Sequence, residues 1–168
     1  MALEVGQAAR GLDVKLPDAD GAPHALGDAL ANGPVVVGIY KSSCKASKEI
    51  FPMLQRLSER LSGASISFFG VSQDSANITK SFARRTGVTF PILVEGKDFP
   101  LSHAFEISHT PTIFLVGQDG KVAATTLGFF KMMVNQFADE VATLVGAAKA
   151  PLIGDDGPDA EIPVFVPG

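Results

Sequence analysis

A chain of 168 residues, 46% of them hydrophobic, is the size of one domain that buries a continuous core without disulfide or metal staples. Its net charge of -4, with 14 scattered Lys and Arg, leaves no basic stripe for nucleic acid, and the most apolar run, Val35 to Tyr40, is far shorter than the roughly 20 residues of a membrane helix. A single cysteine excludes an internal disulfide and any multi-cysteine zinc site, so no nucleic-acid partner, membrane, metal or cofactor is expected.

After Met1, the stretch Ala2-Leu3-Glu4-Val5-Gly6 has neither a basic start nor an apolar core, so no export signal is read. That points to the cytoplasm, or to the periplasm for a chain trimmed of its leader. The alternating piece Leu12 to Leu16 leads into Asp18-Ala19-Asp20-Gly21 and on through His24 and Leu26, which predicts a short hairpin. Asn32-Gly33-Pro34 then punctuates the chain before Val35 to Tyr40, a β-branched run that reads as a strand buried on both faces.

Beyond Lys41-Ser42-Ser43-Cys44 the period changes. Ala46, Ile50, Leu54, Leu57 and Leu61 recur at spacings of three and four, an amphipathic helix with Pro52 inside it as a kink. Ile66 to Val71 is a second buried strand. Asp74 or Ser75 can cap a helix that turns Ile78 and Phe82 inward and ends at Gly87, leaving Arg84 and Arg85 solvated. The order β-α-β-α makes the two strands parallel, through right-handed crossovers, in an α/β sheet.

Phe90 to Val94 reads as an edge strand, Leu101 to Ile107 as a short helix and Thr112 to Val116 as another strand. Gln118-Asp119-Gly120-Lys121 is a second hairpin turn, returning antiparallel into Val122 to Thr126. A last helix, from about Lys131 to Ala148, buries Met133, Phe137, Val141, Leu144 and Val145, and Phe129, Phe130 and Met132 read as core. The remainder, Pro151 to Gly168, holds four prolines and three glycines and is not expected to form regular structure by itself.

Cys44 stands where a central strand hands over to a helix, at the sheet edge where α/β proteins collect their sites. The first turn of a helix offers unpaired N–H groups that stabilise a thiolate, and cysteines so placed have pKa values lowered from about 8.5 into the range ~3.5 to 7.5. Lys41, Lys45 and Lys48 act in the same direction. The second feature is His109-Thr110-Pro111-Thr112 at a strand's beginning, where proline is tolerated and the cis form costs only about 0.5 to 1 kcal/mol.

Taken in order, several pieces resemble the thioredoxin-like redoxin family, which spans thiol-disulfide reductases and the peroxiredoxins of the AhpC/TSA type. They are the hairpin ending at Gly33-Pro34, the strand Val35 to Tyr40, the loop–Cys44–helix unit with Pro52 eight residues on, Gly70-Val71-Ser72-Gln73-Asp74, Phe90-Pro91, Thr110-Pro111-Thr112 and Asp119-Gly120. The resemblance covers roughly residues 5 to 148. It implies a thioredoxin fold, a central mixed β-sheet flanked by helices, with an N-terminal β-hairpin extension and an irregular C-terminal tail. The domain is then 1–148 and the Pro/Gly-rich tail 149–168. The resemblance also implies that Cys44 is the attacking thiol, that Pro111 is cis and faces it, and that the extended segment ending at Thr110 pairs with substrate backbone.

Three positions depart from the family. Ser47 stands where dithiol members carry a second cysteine, so Cys44-Lys45-Ala46-Ser47 is a monothiol motif that an external thiol must resolve. Ile50 replaces the glutamate of many reductases, with Glu49 on a different helix face, and Lys41 and Val37 replace the threonine and proline of the peroxidases. His109 is a candidate to pair with the thiolate or relay a proton, the alternative being a solvent-facing loop histidine. The expected function is thiol-dependent oxidoreduction by monothiol disulfide exchange through Cys44, in cell redox homeostasis. Its partner is a disulfide-bearing protein or a small glutathione-like thiol, and the protein is a monomer or homodimer. A one-cysteine antioxidant peroxidase and a catalytically inactive thioredoxin-fold binding protein are the alternatives.

Overall fold

The computed structural model describes residues 2–168. The hairpin forms as two short antiparallel strands, β1 (Leu16–Pro17) and β2 (Pro23–His24). Asp18 shapes its turn, Oδ1 accepting from the main-chain N–H groups of Asp20 at 2.9 Å and Ala22 at 3.0 Å, while Gly21 takes φ +92°. A short helix the sequence did not signal, α1 (Leu26–Leu30), precedes β3 (Val35–Tyr40), every residue of which is buried. Then follow α2 (Lys45–Arg60), β4 (Ser67–Ser72), α3 (Ala76–Thr86), β5 (Ile92–Val94), α4 (Pro100–Ala104), β6 (Thr112–Val116), β7 (Val122–Leu127), β8 (Phe129–Phe130) and α5 (Lys131–Val145).

Five strands form the central sheet in the order β5-β4-β3-β6-β7. β3, β4 and β5 are parallel and β6 and β7 antiparallel, so the sheet is mixed, with β5 at its edge as expected. Alternation along β3 sends Val36 and Tyr40 into an apolar cluster with α2, α3 and α5, and Val35, Val37 and Ile39 into a second cluster with α1 and α4. The sheet is therefore the middle of three layers.

Gly38 and Gly70 lie opposite each other in β3 and β4, and a side-chain carbon on either would come within 3.1 Å of the Phe51 ring. Glycine at these two positions lets the Phe51 ring of α2 approach the sheet closely. Phe51, Phe82 and Tyr40 then pack ring to ring, with centroids 4.3 to 5.3 Å apart. Burying each phenylalanine contributes roughly 1.5–3 kcal/mol before entropy. Helix α2 runs unbroken through Pro52, and its seating fixes where Cys44 emerges.

Some inward positions differ from expectation. Ser75 caps α3, its Oγ accepting from Ile78 N–H at 3.3 Å, and this sets the helix phase so that Thr79 and Phe82 are buried while Ile78 is 46% exposed. A polar residue fits inside because the Thr79 hydroxyl lies 2.7 Å from both Ser72 Oγ and the Ser75 main-chain oxygen. On α5 the buried stripe is Val134, Phe137, Ala138, Val141 and Ala142, so Met133 and Leu144, one step of about 100° out of phase, stand exposed. Phe129 is core as expected, whereas Met132 is exposed and Phe130 half-buried, because the chain is still extended at Phe130 before α5 begins.

The tail carries more order than its composition suggested. It contains a 3-10 turn at Gly157–Asp159 and a last strand, β9 (Phe165–Val166), antiparallel to β8. Leu152 and Ile153 are buried, and Asn135 on α5 clamps their backbone. Its Oδ1 accepts from Leu152 N–H at 2.9 Å and Ile153 N–H at 2.8 Å, and its Nδ2 donates to the Ile153 carbonyl at 3.0 Å. From α2, Arg56 donates to the Leu152 carbonyl at 2.9 Å and pairs with Asp159 at 3.0 Å.

Candidate active site

Strand β3 ends at Tyr40, and the next four residues turn the chain from the sheet into α2. Cys44 N–H donates to the Lys41 carbonyl at 3.1 Å, and Ser42 N–H donates to the Asp74 carboxylate at 2.8 Å. Asp74 is itself set by its N–H bond to Ser72 Oγ at 3.1 Å, at the end of the neighbouring parallel strand. Sequence reading offered Asp74 as a helix cap. In the fold it instead ties the β4–α3 loop to the loop carrying the cysteine, a role signalled only by its place just after a buried strand.

Beneath this loop Tyr40 is fully buried, and its phenol has no hydrogen-bond partner among the described residues. Burial pushes that phenol well above its ordinary value; the nearby Ser72 hydroxyl opposes this and the Asp74 carboxylate reinforces it. Tyr40 therefore stays neutral, a packing group for Phe51 and Phe82.

Cys44 is the residue immediately before α2, with φ -80° and ψ 125°, half-buried against the main apolar cluster. The first turn of α2 contains no acidic residue, and no side chain caps it. The N–H groups of its first turn are left without a side-chain cap at the sulfur's end of the helix, and Lys41, Lys45 and Lys48 are exposed on the same stretch of chain. The Sγ–H donates to the main-chain oxygen of Thr110 at 3.4 Å. Thr110 precedes Pro111 through a cis peptide bond, Pro111 is buried, and its carbonyl accepts from Gly128 N–H at 2.9 Å. Cys44, Thr110 and Pro111 thus converge at one sheet edge.

Two further sequence candidates lie differently. Ser47 is fully buried one turn into α2, and its hydroxyl has no hydrogen-bond partner among the described residues. His109 is exposed; its Nδ1 lies 3.0 Å from Ser108 Oγ and its carbonyl accepts from the Thr112 hydroxyl at 2.7 Å. That histidine lines a cleft of about 460 Å³ together with Gln73, Ser102, His103, Thr110 and Gly168. At the cleft's floor, Ser102 links two side chains that sequence reading passed over. Its hydroxyl donates to the buried Glu95 carboxylate and accepts from Gln73 Nε2 at 2.9 Å, while Ser102 N–H donates to Glu95 at 2.7 Å.

The sequence matches the AhpC/TSA family over residues 5–125. Thiol-disulfide oxidoreductase ResA of Geobacillus thermodenitrificans is 32% identical over 129 residues, covering 76% of this chain and 71% of that protein. ResA of Bacillus subtilis is 25% identical over 114 residues, 67% of this chain and 63% of that protein. Among solved structures, the thioredoxin domain of a thiol-disulfide oxidoreductase from Bacteroides vulgatus superposes with a TM-score of 0.73 at 20% identity, covering 86% of this chain and 99% of that one. Peroxidoxin BcpB from Mycobacterium tuberculosis gives 0.71 at 21% identity, covering 88% and 99%. At those identities the solved structures speak for the fold. With its mixed five-stranded sheet between helical layers and its match over residues 5–125, the chain belongs to the AhpC/TSA family and has the thioredoxin fold.

Proposed function

We propose that this protein is a thiol-disulfide oxidoreductase that works by monothiol exchange at Cys44. The observation that carries the reading is the placement of Sγ at the uncapped start of α2, 3.4 Å from the Thr110 carbonyl. The relatives named thiol-disulfide oxidoreductases support it.

In the neutral thiol the proton points at Thr110. Once it leaves, sulfur and carbonyl oxygen repel, and the thiolate turns toward the N–H groups of the helix start and becomes the nucleophile. It attacks one sulfur of a disulfide R–S–S–R′. The Cys44–S–R bond forms, the S–S bond breaks and R′–S⁻ leaves with the electron pair, taking up a proton from solvent. Ser47 holds no sulfur, so a second thiol from solution attacks the adduct, releasing the Cys44 thiolate and a new disulfide. The net result is that one thiol is taken up, R′–SH is released and one disulfide is exchanged for another, and Cys44 ends as it began; a second round on the new disulfide consumes a second thiol and completes the reduction.

Intact-mass spectrometry after exposure to oxidised glutathione tests this. A single glutathione adduct on the wild-type chain, lost on adding free thiol and missing in Cys44→Ser, is the expected result. A Cys44 that ignores disulfides but is oxidised by hydrogen peroxide faster than free cysteine would replace this reading with the peroxidase one.

A further inference from the structure

The segment Val164–Gly168 reaches the backbone whose carbonyl accepts the Cys44 thiol. A side-chain carbon on Gly168 would sit 2.6 Å from the Thr110 oxygen, the same atom that accepts the Cys44 thiol, and 3.7 Å from the Cα of Gly128. The approach is a built feature rather than a stray end. β9 pairs with β8 in the register Phe129–Val166 and Phe130–Phe165, Lys131 N–H donates to the Val164 carbonyl at 2.9 Å, and the Phe130 and Phe165 rings pack with centroids 5.6 Å apart. Ile162 and Val166 pack on the same apolar cluster as Cys44. Upstream, Asn135, Arg56 and Arg60 fix residues 150–159 to α5 and α2.

A polypeptide whose disulfide is attacked at Sγ must lay its flanking backbone beside Thr110, because that carbonyl is already at hydrogen-bond distance from the sulfur. Gly168 occupies that strip, and the segment leading to it runs past Gly128, with Val166 paired to Phe129. What they leave open is the neighbouring cleft lined by Gln73, Phe99, Ser102, Ile107, Thr110 and Gly168 itself, a concave volume of about 460 Å³ with both polar and apolar walls. We propose that the segment Val164–Gly168 is a specificity element, which excludes extended polypeptides from Cys44 and restricts it to small disulfides and thiols. This rests on Cys44 being the reacting thiol and adds the class of its substrate.

The test separates access from exchange chemistry. Cys44 is alkylated with bromoacetamide and, separately, with a bromoacetyl-capped hexapeptide; the electrophile is the same, so the ratio of rate constants reads only what the site admits. Two full-length variants displace the strap: Gly168→Val, which clashes with the Thr110 main chain, and the double variant Phe165→Ala/Val166→Ala, which removes its packing. Urea unfolding of each confirms the fold.

The expected result is that wild type favours the small reagent over the peptide by about tenfold or more, and that either variant lowers this ratio about tenfold. A wild-type ratio near that of free cysteine, or a ratio unmoved in both variants, would overturn the proposal. Hydroxyethyl disulfide and a peptide disulfide are run in parallel. If neither disulfide reacts while the alkylation ratio still shifts, the exchange reading has failed and the strap's control of access stands.

Discussion

The thiol of Cys44 and the main-chain oxygen of Thr110 meet at 3.4 Å, although the two residues are 66 positions apart. Their meeting depends on β3 and β6 being antiparallel neighbours, with Ile39 opposite Thr112. That register brings the start of α2 and the loop before β6 to one edge. Any change in the packing of α2 on the sheet moves one partner without the other, so the seating of Phe51 over Gly38 and Gly70 bears directly on the site.

Replacing Ser47 by cysteine tests the monothiol assignment. Ser47 lies one turn beyond Cys44 in α2, and the new thiol would stand where an adduct on Cys44 can be attacked from within the chain. Wild type exposed to oxidised glutathione is expected to accumulate the adduct, whereas Ser47→Cys is expected to expel glutathione and form an internal disulfide. Intact mass distinguishes the two.

Ser47→Ala addresses stability. The Ser47 hydroxyl is buried without a hydrogen-bond partner among the described residues, and alanine is the better helix former. The substitution is expected to stabilise the fold by about 1 kcal/mol, read as a higher urea midpoint at unchanged slope.

Gly33→Ala acts in the opposite direction. Gly33 has φ +143°, and an added side-chain carbon would lie 1.9 Å from the main-chain oxygen of Ser65. Backbone on both sides leaves no flexible group to yield, so a loss of roughly 2–4 kcal/mol is expected by urea unfolding.

Acid is expected to loosen the tail. The Arg56 guanidinium, with help from Gly154 N–H, holds the Asp159 carboxyl below the usual carboxylate range. A carboxyl lowered in the folded state stabilises it fully above its unfolded pKa, about 3.9, and that contribution disappears as pH falls through the folded value. The melting-temperature difference between wild type and Asp159→Asn is therefore expected to be largest near neutral pH and to shrink below about pH 4.

Where side chains repeat with a clear period, the fold was legible from the residues. β3 spans the run Val35 to Tyr40 as expected, and α2 carries Ala46, Ile50, Leu54 and Leu57 inward. Phase was less legible than period. Ile78 lost the inward place to Thr79 because a buried hydroxyl pair, invisible in a hydropathy pattern, could satisfy itself there. The junction of β3 and α2 singled out Cys44, whereas a cis Pro111 facing it was expected only from the family resemblance; in the fold Cys44 Sγ meets the Thr110 oxygen beside the cis bond. The Asp74 clamp and the Glu95–Ser102–Gln73 chain were not legible, since each joins residues from separate loops that only the folded sheet edge brings together. The tail was hardest to read: its order comes from Asn135, Arg56 and β8, and its own Pro- and Gly-rich sequence carries no periodic signal.

The most direct measurement is the rate at which Cys44 forms a mixed disulfide with oxidised glutathione, followed by intact mass and compared with free cysteine under the same conditions. The expected result is one adduct per chain, formed at least about tenfold faster than on free cysteine, reversed by added thiol and missing in Cys44→Ser. An adduct that forms no faster than on free cysteine would contradict the assignment of Cys44 as an active-site thiol.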